Sequence, residues 1–283
     1  FFISSTEREI KTLLPSDWAG HVPFLLALTS LIKPRRYVEL GYSHGTSFLA
    51  FLQAAQTAGL QSEAIAVSPL KAADDLEEDT LKAFNSFRFA ASWFRDRSGF
   101  LLMDQTQAAD RFEANSIDLI NVNASRYASN LDEVLLLWKP KLTRQGVVLL
   151  HGIGAKTSNS QLGETWDRLR NQNPSLEFSH DGGLGLVCYG SDVCSALLRM
   201  SQTLASNRHR YAVFQKATAD QASAFKEMHV KQHALEQMEL RLAVCAVASA
   251  HVKQARKELA AAKARLDAVR VSMQDEVAKA ALT

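Results

Sequence analysis

The distribution of glycine and proline constrains the fold of this chain more than any other feature of its sequence. All 13 glycines and all 6 prolines lie at or before Gly190, and the 93 residues that follow contain neither. Those residues are rich in Ala, Leu, Lys, Arg, Gln and Glu, which have high helix propensity. We therefore predict a first domain at 1–190 and a helical extension at 191–283.

The charge of the chain also changes near residue 190. Residues 1–190 contain 18 Lys or Arg and 21 Asp or Glu, whereas residues 191–283 contain 14 and 9. The extension has two apolar rows of seven-residue spacing: Met238, Cys245, Val252, Leu259, Leu266, Met273 and Ala280, and then Ala248, Ala255, Ala262 and Val269. This seam predicts a coiled coil over about 238–280, through which we expect the chain to self-associate. A helix that packs back on the first domain is the alternative.

Short apolar runs alternate with stretches of helical periodicity in the first domain. The runs predict strands at 37–40, 64–67, 117–122, 146–150 and 185–189, and the stretches predict helices at about 46–58, 76–96, 129–139 and 161–171. Strands separated by helix-length segments form right-handed βαβ units, in which helices cover both faces of a parallel sheet. We therefore predict an α/β fold with a doubly wound, mostly parallel sheet. Ligands in such folds bind beyond the carboxyl ends of the strands.

Composition and charge exclude several classes of protein. With 47% hydrophobic residues the chain can bury a sizeable core, and a net charge of +2 does not indicate a nucleic-acid partner. The three cysteines have no metal-binding spacing, so we expect a reducing, cytoplasmic location, with peripheral contact at the inner membrane as the alternative. No apolar run is long enough for a transmembrane segment. Because the sequence starts at Phe1 without Met and has no basic stretch before an apolar one, we expect an excised fragment and not a signal peptide. We expect the four tryptophans to pack inside the fold: Trp18, Trp93, Trp138 and Trp166.

A glycine loop follows the first predicted strand and precedes a predicted helix. In it, Glu39 stands two residues before Gly41, and Gly45 directly precedes the helix. Glycines allow a tight turn and a close approach of ligand to backbone, while the helix directs its positive end at the loop. An acid at this place is suited to hold an ammonium or a hydroxyl donor. A turn without a ligand is the alternative.

The segments that carry a family resemblance lie between Trp18 and Gly190. They are residues 20–24, 34–41, 47–51, 116–119, 140–142, 146–149, Gly163, Trp166 and 183–186. In order and spacing they resemble the class I S-adenosylmethionine-dependent methyltransferases, and more narrowly the branch found beside or fused to glycosyltransferases in bacterial surface-polysaccharide loci. The resemblance implies a Rossmann-like methyltransferase fold, S-adenosylmethionine as cofactor, and methyl transfer to a sugar or glycan hydroxyl. It also implies a glycosyltransferase or glycan-modifying partner.

The same resemblance assigns residues to a cofactor site. It implies that the loop of Glu39, Gly41, Ser43 and Gly45 holds the amino-acid end of S-adenosylmethionine. At the end of the second strand, where the family expects an acid for the ribose hydroxyls, this chain has Ser68. We retain Ser68 as a cofactor-binding candidate.

Two further departures from the family concern metal binding and proton transfer. Asn123 and Gly152 stand where the family has acids after the fourth and fifth strands. Because a hard cation prefers carboxylate ligands, we expect no metal site. His151 remains as the candidate catalytic base, with His44 as a second candidate and a structural role for His151 as the alternative. Residues 180–183 are predicted to form a turn, with a substrate contact as the alternative.

Two functions compete on this sequence. The first is a metal-independent O-methyltransferase, in which the acceptor is held close to the methyl group and His151 takes the proton. The second is a catalytically degenerate scaffold or oligomerisation module beside a glycosyltransferase. Whether the chain is an enzyme therefore depends on the cofactor loop and on the side chains at the strand ends.

Overall fold

The computed structural model describes residues 16–42, 44–68, 78–154 and 160–280. Ser43 and residues 76–77, the start of the predicted helix at 76–96, lie outside these ranges. The strands are β1 (Arg36–Leu40), β2 (Glu63–Val67), β3 (Ser98–Leu101), β4 (Ile117–Asn123), β5 (Leu142–His151), β6 (Ser175–Phe178) and β7 (Leu184–Cys188). The helices are α1 (Val22–Ile32), α2 (Thr46–Thr57), α3 (Glu78–Ala91), α4 (Gln105–Ala109), α5 (Leu131–Trp138), α6 (Ser160–Gln172), α7 (Ser195–Ser206) and α8 (Arg208–Ala280).

The seven strands form one sheet in the order β3-β2-β1-β4-β5-β7-β6. Strands β1 to β5 pair in parallel, whereas β7 is antiparallel to both β5 and β6. This arrangement confirms the predicted doubly wound, mostly parallel sheet. The strand order reverses between β1 and β4, so these neighbouring strands have connections leading to opposite sides of the sheet. A ligand crevice is expected at that point.

The core lies on both faces of the sheet because successive strand residues point to opposite sides. In β1, Tyr37 packs in the cluster that contains Phe48 of α2, whereas Val38 packs in the cluster that contains Trp138 of α5. Both faces are therefore buried, as a parallel sheet between helices requires. Of the four tryptophans, Trp93 is 67% exposed, so the prediction that it packs inside the fold is wrong.

The first compact unit of the chain extends to Lys226, beyond the boundary expected near residue 190. The cause is the start of α8, which packs on β6. The rings of Phe214 and Phe178 lie 5.3 Å apart, and Ala222 and Phe225 are buried. The first part of α8 therefore belongs to the first compact unit because its apolar side chains pack in the core of that unit.

The second compact unit comprises Glu227–Thr283, and its described residues, which end at Ala280, are the remainder of α8. The predicted helical extension is therefore confirmed as helix. Four of its apolar side chains, Val230, Leu235, Met238 and Leu242, are exposed by more than half. The coiled coil over about 238–280 stays a prediction. Among the described residues, no helix has the length and apolar character needed to span a membrane.

Candidate functional site

A narrow crevice opens beyond the carboxyl ends of β1, β4 and β5, with a volume of about 20 Å³. Such a volume is enough for about one water molecule. The crevice is lined by Ser16, Trp18, Glu39, Leu40, Gly41, Gly45, Thr46, Ser47, Asn121, Asn123 and His151. It brings together four predicted site residues, namely Glu39, Gly41, Gly45 and His151. His44 is exposed and Ser68 is buried at the end of β2, and neither lines the crevice.

Both loop glycines adopt conformations that other residues rarely take. Gly41 has φ of 74° and Gly45 has φ of 75°. The Gly41 N–H donates to the Val67 carbonyl at 2.8 Å, which holds the loop against β2. A Cβ atom on Gly45 would lie 2.2 Å from the nearest ring atom of Phe87. Gly45 is the N-cap residue of α2 and offers it no side-chain cap.

Glu39 is the centre of a buried hydrogen-bond network. The Glu39 carboxylate accepts from the Tyr37 hydroxyl at 2.6 Å and from the Ser47 hydroxyl at 2.7 Å, and the Asn121 amide also bonds to it. Burial raises the pKa of Glu39, against the opposing effect of these hydrogen bonds. The network ties the first turn of α2 to β1. The oxygen of the same side-chain amide, Asn121 Oδ1, is buried without a hydrogen-bond partner.

The two positions where the family has acids serve structural contacts here. The Asn123 amide donates to the Gly41 carbonyl at 3.2 Å, and its oxygen accepts from the Arg126 N–H at 3.3 Å. Gly152 has φ of 87°, and a Cβ atom there would lie 2.1 Å from the Ser125 Oγ. Position 152 therefore has no room for a side chain. In the described part of the chain, no group of three or more His, Cys, Asp or Glu could hold a metal ion.

His151 lies at the end of β5, between the crevice and a cluster of rings. Its Nε2 atom is 3.3 Å from the Asp181 carbonyl, the Asp17 backbone forms a second hydrogen bond, and the Trp18 ring lies 5.5 Å away. Burial lowers the pKa of His151, while these carbonyl groups act in the opposite direction. The neutral imidazole that a base requires is thus favoured, but its ring nitrogens are engaged with backbone.

A histidine cluster adjoins His151 that sequence reasoning missed. The ring of His21 lies 4.5 Å from that of His180 and 5.6 Å from that of His151, and its Nε2 atom is 3.2 Å from the Asp181 carbonyl. Burial lowers the pKa of His21 well below its ordinary value and also lowers the pKa of His180. Within the cluster, Lys226 forms an ion pair with the Asp181 carboxylate.

The turn predicted at 180–183 is confirmed, and it holds this cluster in place. Asp181, Gly182 and Gly183 all have positive φ, and the Gly183 N–H donates to the His180 carbonyl at 2.9 Å. Gly20 approaches so closely that a Cβ atom there would lie 1.6 Å from the Asp181 Oδ2. The stretch of glycine and histidine at 20–21 and the turn at 180–183 were each visible in the sequence, but their contact was not.

Comparison with known proteins gives a family match over the site. Residues 38–153 match the family model of a methyltransferase domain. The uncharacterized protein y4gI of Sinorhizobium fredii is 28% identical over 189 residues, which are 67% of this chain and 21% of that protein. The chain therefore spans about a fifth of the length of this relative.

Solved structures with a similar fold include three from different organisms. A protein from Corynebacterium glutamicum is 15% identical with a TM-score of 0.49, and the match covers 68% of this chain and 90% of that protein. A methyltransferase from Geobacter sulfurreducens is 15% identical with a TM-score of 0.46, covering 66% and 86%. An SAH-bound methyltransferase from Podospora anserina is 16% identical with a TM-score of 0.46, also covering 66% and 86%.

The strand order defines the fold of this domain, and the family model matches less than half of the chain. The sheet order with an antiparallel β7, and the match over residues 38–153, are those of a class I methyltransferase fold. The predicted Rossmann-like methyltransferase fold is therefore confirmed.

Proposed function

We propose that this domain binds S-adenosylmethionine at the Gly41–Gly45 loop and transfers its methyl group to a hydroxyl of a sugar or glycan. The buried and unpartnered Asn121 Oδ1 is the observation that supports the proposal most strongly. An unsatisfied acceptor in a crevice is costly to maintain unless a donor arrives there. The ammonium of S-adenosylmethionine is such a donor.

The residues present fit the amino-acid end of this cofactor. Asn121 Oδ1 and the Glu39 carboxylate are acceptors for an ammonium, and the positive end of the α2 dipole at Gly45 favours a carboxylate. Close approach of the ligand to backbone is possible because Gly41 and Gly45 lack side chains. When bound, S-adenosylmethionine supplies an electrophilic methyl group.

The domain offers fewer hydrogen-bonding groups to the ribose of the cofactor than to its amino-acid end. Ser68 offers a hydroxyl at the end of β2 instead of a carboxylate. A hydrogen bond to a charged group contributes about 1.5–3 kcal/mol, so its loss corresponds to about one to two decades in affinity. We therefore expect cofactor binding weaker than that of a domain with an acid at this place, but not its absence.

Proton removal from the acceptor hydroxyl is assigned to His151. It is the titratable side chain of the crevice besides Glu39, and its lowered pKa favours the neutral form that accepts a proton. Glu39 is a poorer candidate because two hydroxyl groups and an amide already bind its carboxylate. Besides this base, methyl transfer depends on holding the acceptor hydroxyl close to the methyl group of the cofactor.

Calorimetric titration of the full chain with S-adenosylmethionine and with S-adenosylhomocysteine tests the proposal. Asn121→Ala should weaken binding by about tenfold or more, because it removes an acceptor from a charged donor. Asn85→Ala, on the exposed face of α3, is the matched control and should bind as the wild type does. No binding by the wild type at millimolar cofactor, or equal binding by Asn121→Ala, would contradict the cofactor site.

Transfer is tested with cofactor carrying a radiolabelled methyl group and a panel of nucleotide sugars and oligosaccharides. His151→Gln should lower the turnover rate by about a hundredfold or more while cofactor affinity is retained. His44→Gln, at the exposed position in the loop, is the control. Label transfer that is equal in both variants would exclude His151 as the base.

A second candidate function is a scaffold without catalysis, and two observations favour it. The crevice has a volume of only about 20 Å³, so it must widen before a cofactor enters. The ring nitrogens of His151 also face backbone of Asp181 and Asp17. Cofactor binding without label transfer to any acceptor, or no cofactor binding at all, would support this candidate.

Self-association through the extension, beside a glycosyltransferase or glycan-modifying partner, belongs to both candidates. Its support is the heptad row at 238–280 and the exposed apolar side chains on α8. Sedimentation of the full chain should give a mass above the monomer. Leu259→Lys with Leu266→Lys should shift it to the monomer, whereas Ala261→Lys, at an exposed position outside the two rows, should not.

A further inference from the structure

The outer face of α3 and the turn after it carry an unusual pair of exposed aromatic side chains. Phe89 is 70% exposed and Trp93 is 67% exposed, and they lie four residues apart, one helical turn along the chain. Among the described residues, they are the only aromatic side chains in the set of exposed large hydrophobic residues. A surface helix normally presents polar residues outward, so this pair calls for a partner.

The aromatic side chains on the inner face of α3 and of the turn after it pack in the domain core. Phe84, Phe87 and Phe94 are buried against the sheet and the cofactor loop. The ring of Phe87 contacts the rings of Phe48, Tyr42 and Phe100. Phe89 and Trp93 are therefore not needed for the core of the domain.

Basic residues lie close to the exposed pair in sequence. Residues 84–97 contain Arg88, Arg95 and Arg97, and a single acid, Asp96. Arg88 and Arg95 are exposed, and Arg88 lies 5.7 Å from the centre of the Phe84 ring. The partner of this surface should accordingly combine an apolar layer with negative charge.

We propose that the face formed by Arg88, Phe89, Trp93 and Arg95 binds the surface of an anionic lipid bilayer. Phenylalanine and tryptophan side chains enter the boundary between headgroups and acyl chains, while arginine side chains reach back to lipid phosphates. Each Lys or Arg near an anionic bilayer adds to binding, and salt weakens the attraction. One such face gives weak, reversible attachment, which self-association of the chain would strengthen by multivalency.

Tryptophan fluorescence of the full chain tests this surface directly. Trp18, Trp138 and Trp166 are buried, so the difference in emission between wild type and Trp93→Phe isolates Trp93. That emission should shift to shorter wavelength with vesicles of phosphatidylcholine and phosphatidylglycerol, and not with phosphatidylcholine alone. The full chain should sediment with the mixed vesicles, and added salt should release it.

Substitutions then locate the binding face. Phe89→Ser with Trp93→Ser should weaken sedimentation with mixed vesicles by about tenfold or more. Arg88→Gln with Arg95→Gln should remove the preference for the anionic lipid. Leu136→Ser is the matched control because Leu136 is 74% exposed on α5, and α5 and α3 pack in the two separate core clusters of the sheet. This variant should bind as the wild type does.

Three outcomes would overturn the proposal. The first is a wild-type chain that does not sediment with the mixed vesicles. The second is a Phe89→Ser, Trp93→Ser variant that binds vesicles as the wild type does, with circular dichroism showing that it is folded. The third is an emission shift of Trp93 with dextran sulfate in solution and none with vesicles, which would assign this face to a soluble polyanion.

Discussion

Replacement of Gly45 by alanine tests whether the cofactor loop depends on a glycine that touches α3. Two separate penalties are expected. A non-glycine residue in the left-handed region costs about 1–2 kcal/mol, and Gly45 has φ of 75°. The new methyl group would also lie 2.2–2.5 Å from ring atoms of Phe87, and overpacking of this kind costs about 1–3 kcal/mol. The total is about 2–5 kcal/mol of unfolding free energy.

Gly59 provides a control for the first penalty. It has φ of 69°, close to that of Gly45, but a Cβ atom there would meet nothing within 4 Å. Gly59→Ala should therefore cost only the backbone penalty of about 1–2 kcal/mol. The difference in unfolding free energy between the two variants measures the contact with Phe87.

Urea unfolding of both variants gives this difference, and a double variant identifies its source. Phe87→Ala by itself should cost about 3–5 kcal/mol because it opens a cavity. In the double variant the new methyl group at position 45 no longer meets a ring. The double variant should therefore lose about 1–3 kcal/mol less unfolding free energy than the two single variants lose together. Equal stability of Gly45→Ala and Gly59→Ala would refute the reasoning, and so would strict additivity.

Two further predictions concern the cluster and position 152. Burial lowers the pKa of His21, His151 and His180 from the ordinary value of 6.5, so the unfolded chain binds more protons than the folded one. Unfolding free energy should therefore fall as pH drops below about 6.5, with a shallower slope in His180→Gln; urea titrations at several pH values measure both. Gly152→Asp should lower the melting temperature without creating a magnesium site, because Ser125 fills the space that the side chain needs. Stabilisation of that variant by MgCl₂ in a thermal scan would contradict this account.

The sheet was largely predictable from sequence because its central strands are continuous apolar runs. Strands β3 and β6 were not predicted, since each has four residues and only partial burial. A short, half-buried edge strand leaves too little periodicity to recognise. The helix α1 was also missed, because its almost wholly apolar sequence lacks the polar face that marks an amphipathic helix.

The candidate site was predictable where its residues directly follow predicted strands, as the loop after β1 and His151 at the end of β5 do. The loop from Glu39 to Gly45 is contiguous and follows a clear strand, so its place in the crevice could be foreseen. The contact of His21 with the Asp181 carbonyl joins residues 160 positions apart, and no local signal reports it. The exposure of Trp93 likewise depends on which face of α3 packs against the sheet. Because aromatic residues occur on both faces, the sequence pattern does not indicate which face is buried.

The internal hydrogen bonds of Glu39 have a consequence for how proteins with this motif should be sorted. A carboxylate that already receives Tyr37, Ser47 and Asn121 would be retained by a domain that had lost turnover, because its removal would leave three buried donors stranded. The glutamate ahead of the loop is thus a marker of structural integrity. Active and inactive homologues should be told apart by their free acceptor atoms instead.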